Sequence, residues 1–227
     1  MNPRRVLILD TETTNTRDDP NAICIEVGVI LFDLRIGCAL ESYASLIRAD
    51  RNEAEHINGI SVEALKTASK AELVWKRVDK ISTKADAVCA HGAEFDRHFV
   101  PVTIASHIPW VCTCEDFEWP KGRPGGDLIR TAIAHGLGVS HAHRVMSDCD
   151  LISRLFTRLH ETEHDLVALM NRALRPKKMY AAQVSYDDKQ KAKDAGFRWD
   201  DKKRLWLRKM VPDNTKTLPF KVVEVAA

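Results

Sequence analysis

Asp10 and Glu12 are two carboxylates, two residues apart, at the end of the first apolar run of the chain, residues 5–9. Side chains at positions i and i+2 of an extended strand point to the same side, so both acids are expected on one face. Paired carboxylate oxygens are hard ligands that suit Mg²⁺ or Mn²⁺. The alternative is a polar strand end or the N-cap of the next element. The pair therefore indicates a metal site if other acids join it.

A third acid, Asp96, follows the short apolar run 87–90. We predict a strand there and a helix over 94–106, which places Asp96 in the first turn of a helix that begins at a strand end. From that position its carboxylate can point back over the edge of the sheet. The alternative is that Asp96 only stabilises the helix N-terminus, where acids are favoured.

His143 and Asp148 form the last candidate pair, five residues apart. On one helix this spacing would separate the side chains by about 140° around the axis. Both can serve one site if His143 lies in the loop before a helix predicted over 144–159, with Asp148 one turn into it. A histidine that only supports the loop is the alternative.

The elements that must position these residues follow an α/β pattern. Three strands come first as a meander, then strands alternate with helices, and a run of helices follows. This order predicts a mixed sheet, antiparallel and parallel, with helices on both faces. The predicted strands cover 5–9, 23–32, 38–47, 87–91 and 110–114; the predicted helices cover 71–81, 94–106, 127–135, 144–159 and 163–174.

The order Asp-Glu, then Asp, then His-x4-Asp on this pattern resembles the DEDDh class of 3′–5′ exonucleases, the proofreading type with a ribonuclease-H-like fold. The resemblance covers about residues 4–160, with smaller similarities at 25–28 and 56–60. It implies a general base and two Mg²⁺ or Mn²⁺ ions. The base would be His143, and the metal ligands would be Asp10, Glu12, Asp96 and Asp148.

Further positions are implied by the same resemblance. Thr13, through its backbone N–H, and His56 and Phe95, through packing on terminal bases, match nucleotide-binding positions of this class. The alternative for Phe95 is a core aromatic. Gly92 departs from the pattern, because family members often carry Asn there; this leaves the metal ligands intact and puts substrate preference in doubt.

Charge is unevenly distributed. Residues 176–227 contain 13 Lys/Arg and 7 Asp/Glu, a local charge of +6, and since the whole chain carries +2 the first 175 residues carry −4. An acidic body with a basic extension fits an anionic catalytic pocket joined to a part that binds a polyanion. We therefore predict an exonuclease domain over 1–175 and a small basic accessory domain over 176–227.

The second domain is predicted as a β-α-β-β unit, with a strand over 180–186, a helix over 187–195 and a hairpin over 197–207. It resembles small domains of uncharacterised role appended to plasmid- and phage-type DNA-processing proteins. Its aromatic side chains lie among many cations, which is typical of a nucleic-acid surface, although the same rings could form the core of so small a unit. These rings belong to Tyr186, Phe197, Trp199 and Trp206.

The six cysteines are scattered and suit reduced, buried thiols. Cys112 and Cys114 lack the second pair that a zinc site needs. No segment approaches the ~18 apolar residues that span a membrane, and the first apolar run is too short for a signal peptide. We therefore expect a cytoplasmic protein without a membrane partner.

These observations together predict a two-metal 3′–5′ exonuclease that releases nucleoside 5′-monophosphates from single-stranded DNA. Its polarity rests on the resemblance alone. The alternatives are an exoribonuclease or oligoribonuclease acting on RNA ends, and a catalytically idle DNA-binding or polymerase-accessory module. Association with DNA replication, repair or mobile-element machinery is a further expectation.

Overall fold

The computed structural model describes residues 2–122, 126–139 and 144–226. The chain divides into two compact units between Leu174 and Arg175. Each unit has its own sheet and its own hydrophobic core.

The first unit is built on a five-stranded sheet in the order β3-β2-β1-β4-β5. The first three strands form an antiparallel meander, and β4 and β5 run parallel to β1. The mixed sheet predicted from the sequence is confirmed. Its strands are β1 (Arg5–Thr13), β2 (Cys24–Asp33), β3 (Cys38–Leu46), β4 (Ala87–Ala90) and β5 (Trp110–Cys112).

Strand β1 is longer than predicted. It continues through both acids to Thr13, because β2 pairs with it as far as Cys24, and the β-branched Thr11 and Thr13 favour extended backbone. The neighbouring strand β4 pairs with β1 only over residues 6–8. The acidic end of β1 therefore projects beyond β4.

Helices flank the sheet. The single helix predicted over 94–106 is in fact two, since Val100 adopts an extended conformation before Pro101, as residues before proline prefer. None of the helices in the described ranges is long and apolar enough to cross a membrane. The helices of this unit are α1 (Glu55–Asn58), α2 (Val62–Thr67), α3 (Ala71–Ser82), α4 (Ala93–Phe99), α5 (Val102–His107), α6 (Leu128–Ala134), α7 (Val145–Glu161) and α8 (Leu166–Ala173).

Side chains of β1 alternate between two cores. Val6 and Ile8 pack in the core that includes α7, whereas Leu7 and Leu9 pack in the core that includes α3 and α5. Since alternation has period two, the even-numbered acids that follow lie on the α7 side of the sheet.

The second unit is a four-stranded antiparallel sheet in the order β7-β8-β6-β9, with one helix, α9 (Lys189–Asp194). The predicted β-α-β-β order is present, and a further strand, β9, pairs with β6. The sequence pattern does not indicate β9, which has only four residues and follows a 3-10 helix. The strands are β6 (Lys178–Ala182), β7 (Arg198–Asp200), β8 (Leu205–Met210) and β9 (Val222–Val225).

Candidate active site

Strand β1 presents Asp10 and Glu12 on the α7 side of the sheet. In the antiparallel pairing with β2, Asp10 lies opposite Gly28 and Glu12 lies opposite Glu26. Both β1 acids are partly exposed, so a ligand in solution can reach them. One face of two neighbouring strands thus carries three carboxylates.

Asp96 reaches the same end of β1 from helix α4. Its side chain is buried, and its Oδ1 accepts two hydrogen bonds from Thr11, one from the backbone N–H (3.0 Å) and one from the hydroxyl (2.9 Å). This backbone amide lies where β1 has already passed the end of β4. Because β4 does not extend this far, the Asp96 carboxylate accepts the hydrogen bond of the Thr11 N–H. This bond fixes the carboxylate beside Asp10.

Helix α7 brings Asp148 to the site in its first turn. The start of the helix lies against β2 at Gly28, where an added Cβ would come 2.8 Å from Cγ2 of Val145. The thiol of Cys149 also donates to the Gly28 carbonyl (3.4 Å). A glycine opposite Asp10 thus permits the close approach that places Asp148 near the β1 acids. His143, the predicted general base, lies outside the described residues.

An ion pair ties the start of α7 to the sheet. Arg144, the N-cap residue, donates from Nε (2.9 Å) and from one terminal nitrogen (2.5 Å) to the two carboxylate oxygens of Glu26. The Glu26 side chain is 6% exposed and that of Arg144 51% exposed. The pair neutralises one acid of the cluster and holds the chain immediately after His143 on the sheet.

Burial and mutual repulsion raise the pKa values of three acids of the site. Burial raises the pKa of Asp10 well above its ordinary value, and the negative charges of Asp96 and Asp148 raise it further. Burial, followed by the charge of Glu26, raises the pKa of Glu12 to about 7. Burial also raises the pKa of Asp96 to about 7, although the hydrogen bonds that it accepts oppose the shift. A nearby cation would stabilise the charged form of each acid and lower its pKa.

The donor set fits a hard divalent cation, since it consists of carboxylate oxygens only. As the side chains stand, no group of three or more His, Cys, Asp or Glu within the described ranges is positioned to hold a metal ion. The acids of four chain segments, β1, β2, α4 and α7, nevertheless lie close enough to Asp10 for their charges to raise its pKa.

The predicted nucleotide-contacting residues lie around the end of β1. Thr13 is the last residue of β1 and follows a register shift in the pairing of β1 with β2. His56 is exposed on α1, which is tied to β1 by a hydrogen bond from Asn58 Nδ2 to the Thr13 carbonyl (3.3 Å). Phe95 is half-buried on α4, and the centroid of its ring lies 5.0 Å from that of the Phe99 ring. One part of the Phe95 ring therefore packs on the protein, and another part is exposed to solvent.

Two residues of the site were not singled out from the sequence. Thr11 lies between two acids of the sequence, which does not indicate that it orients Asp96. Arg144 lies within the His-x4-Asp motif, and its bond to Glu26 joins residues 118 positions apart, so no local pattern indicates it. His91, which follows β4, contacts the Thr113 hydroxyl (3.0 Å) and the Gly126 carbonyl (2.9 Å).

Solved structures of 3′-exonucleases share this arrangement of strands and helices. The nuclease domain of 3′hExo, a DEDDh family member bound to rAMP, is 16% identical, with a TM-score of 0.58 over 72% of this chain and 94% of that one. Exonuclease X in complex with 5′ overhanging duplex DNA is 20% identical, with a TM-score of 0.56 over 74% and 99%. At these identities the likeness shows the fold, and the predicted ribonuclease-H-like architecture is confirmed.

Exonuclease I of E. coli in complex with a dT13 oligonucleotide is also similar, with 16% identity and a TM-score of 0.58 over 80% of this chain. The match covers 48% of that protein, so the chain spans about half its length. Residues 178–225 match a family model described as a domain of unknown function, DUF8626. No curated protein matches the chain.

Proposed function

We propose that the protein is a metal-dependent 3′–5′ exonuclease that removes nucleoside 5′-monophosphates from single-stranded DNA. One observation supports this proposal: acids from β1, α4 and α7 lie at one end of a ribonuclease-H-like sheet, close enough for burial and mutual repulsion to raise the pKa values of Asp10, Glu12 and Asp96, which favours a cation there. The exonuclease structures that share the fold support the class of reaction.

The proposed metal ligands are Asp10, Glu12, Asp96 and Asp148, for two Mg²⁺ or Mn²⁺ ions. Bound ions of this kind activate water and stabilise charge on the phosphate and the departing 3′ oxygen. Thr11 holds Asp96 in one orientation through its two hydrogen bonds. A ligand fixed in this way loses little conformational freedom when a cation binds.

The protein side chains would supply the proton transfer. His143 is the proposed general base, since imidazole accepts a proton near neutral pH. Arg144 directly follows His143 in the sequence, and its bonds to Glu26 hold this point of the chain on the sheet. Thr13, His56 and Phe95 would contact the terminal nucleotides, with the exposed parts of the rings stacking on bases.

Two of the similar structures contain DNA, and one contains the ribonucleotide rAMP. Single-stranded DNA is the proposed substrate because the second unit resembles the small domains appended to plasmid- and phage-type DNA-processing proteins, while its basic charge suits either nucleic acid. We propose the exonuclease domain as 1–175 and the accessory domain as 176–227, the latter raising affinity for substrate. Removing it should weaken binding and leave turnover at saturation nearly intact.

A titration with Mn²⁺ tests the site without an activity assay. The wild-type protein should bind two ions, while Asp10→Asn and Asp148→Asn should lose at least one of them. Asp150→Asn is the matched control, because Asp150 lies on the same helix but is exposed and paired with Arg154. If Asp10→Asn binds Mn²⁺ like the wild-type protein, the assignment is wrong.

A further inference from the structure

Two tryptophans form a partly exposed pair on the second unit. Trp199 of β7 lies directly opposite Trp206 of β8, and their ring centroids are 5.5 Å apart. Directly opposed side chains of an antiparallel pair project from the same face of the sheet. The Trp199 side chain donates from Nε1 to Asp201 (2.9 Å), which fixes the orientation of the indole.

Trp199 lies outside the hydrophobic core of the unit, whereas Trp206 is partly buried against it. The buried core residues are Tyr180, Ala192, Phe197 and Met210, with Trp206 only packed against them. Trp199 is 45% exposed, and Tyr186, on the segment before α9, is 80% exposed. Large rings left in water on so small a unit indicate a ligand that can cover them.

Cations of α9 lie beside these rings. Lys189 Nζ lies 3.6 Å from the centroid of the Tyr186 ring, and Lys193 Nζ lies 5.7 Å from that of Trp206. The two lysines are four residues apart, so they lie on one side of the helix. Within the part of the chain that the structure describes, neither is paired with an acid; Lys189 instead contacts Tyr186 and lowers the pKa of its hydroxyl. Their charges are therefore available to an anion.

We propose that Tyr186, Trp199 and Trp206, together with Lys189 and Lys193, form a binding site for single-stranded nucleic acid. Bases would stack on the exposed rings, and phosphates would lie beside the lysines. The exposed turn between β7 and β8 adds cations next to Trp199, and the domain is basic overall. This deepens the accessory role proposed for residues 176–227 and is independent of the hydrolytic site.

A partly exposed ring and an unpaired lysine should contribute in different ways. Loss of one stacked base typically weakens binding about 5- to 150-fold, and it changes the salt dependence little. Loss of one phosphate contact should reduce the slope of log K against log[salt] by about 0.7 for a single strand. These two signatures separate stacking from charge.

The test measures binding of a short fluorescein-labelled oligothymidylate by the full-length protein in EDTA, where hydrolysis of the probe is suppressed. Trp199→Ala should weaken binding at every salt concentration, and Trp199→Phe, which keeps a ring, should retain most of the affinity. Lys193→Gln should lower the salt slope. Lys221→Gln is the matched control, because it removes the same charge next to β9, at the opposite edge of the sheet from Trp199.

Matched duplex DNA should compete poorly, since its bases are not free to stack, and oligouridylate should show whether the site distinguishes RNA from DNA. A folded Trp199→Ala protein that binds like the wild-type protein would overturn the proposal, as would equal effects of Lys193→Gln and Lys221→Gln. Loss of binding in Trp199→Ala together with an inactive wild-type enzyme would refute the hydrolytic function alone. Normal binding in Trp199→Ala with an active enzyme would refute this site alone.

Discussion

Gly28 and Val145 are so close that Gly28 has no room for a side chain: a Cβ on Gly28 would lie 2.8 Å from Cγ2 of Val145. The contact joins the β2 position opposite Asp10 to the first residue of the helix that carries Asp148. The spacing between the two segments that carry the proposed ligands Asp10 and Asp148 therefore depends on the absence of one methyl group.

Gly28→Ala should accordingly destabilise the protein by about 1–3 kcal/mol, the usual cost of overpacking, and should lower activity by moving α7 away from β1. Gly138→Ala is the control, because its Cβ would meet no atom within 4 Å and its backbone is not left-handed. Urea unfolding and nuclease assays of both variants test this. A fully active, fully stable Gly28→Ala protein would show that α7 tolerates displacement.

The raised pKa values make the metal-free protein sensitive to pH. Between the ordinary values of 3.8 and 4.5 and the folded values of about 7, Asp96 and Glu12 keep protons in the folded state that the unfolded chain has released. The folded state then binds more protons, so the free energy of unfolding falls as pH rises through this range. Asp10→Asn should raise the stability of the metal-free protein at about pH 8, because folding must either protonate Asp10 or bury its charge beside other carboxylates, and both are unfavourable at that pH.

Urea unfolding in EDTA across this pH range measures the effect, with Asp150→Asn as the control. Saturating Mg²⁺ should stabilise the wild-type protein at the high end of the range and should stabilise Asp10→Asn less. A metal-free protein whose stability increases from pH 5 to about pH 8 would contradict the shifts.

The bond between Arg144 and Glu26 should show strong energetic coupling. Arg144→Gln leaves a buried carboxylate poorly paired beside Glu12 and should cost about 1–3 kcal/mol. The double substitution Arg144→Gln with Glu26→Gln should cost less than Arg144→Gln alone, since the unpaired charge is gone. A double-mutant cycle in urea measures the coupling, and additive effects would show that the bond contributes little.

Gly92 tests how far the chain tolerates the asparagine that related motifs carry. Its φ is 98°, which only glycine adopts freely, and an added Cβ would meet no atom within 4 Å. Gly92→Ala should therefore cost about 1–2 kcal/mol through backbone strain alone, and Gly92→Asn should cost less, because asparagine accepts left-handed backbone better. Thermal unfolding compares the two. Equal losses would point to a steric cause instead.

The period of the strand pattern was enough to predict that Asp10 and Glu12 share a face, and the alternation of elements was enough to predict the mixed sheet. The extent of β1 was not predictable, because it depends on pairing with β2 rather than on the apolar run itself. The contact of Gly28 with Val145 and the pairing of Arg144 with Glu26 join distant segments, so no local pattern reveals them.

Digestion of 5′-labelled single-stranded DNA and RNA, in Mg²⁺ or Mn²⁺ and in EDTA, tests the central claim most directly. The wild-type protein should produce a metal-dependent ladder that shortens from the 3′ end, with nucleoside 5′-monophosphates as products and with DNA digested faster than RNA. Asp10→Ala should abolish the ladder, and His143→Ala should cripple turnover while leaving much of the metal binding. Wild-type rates in Asp10→Ala, or no cleavage of either substrate by a protein that binds them, would contradict the account.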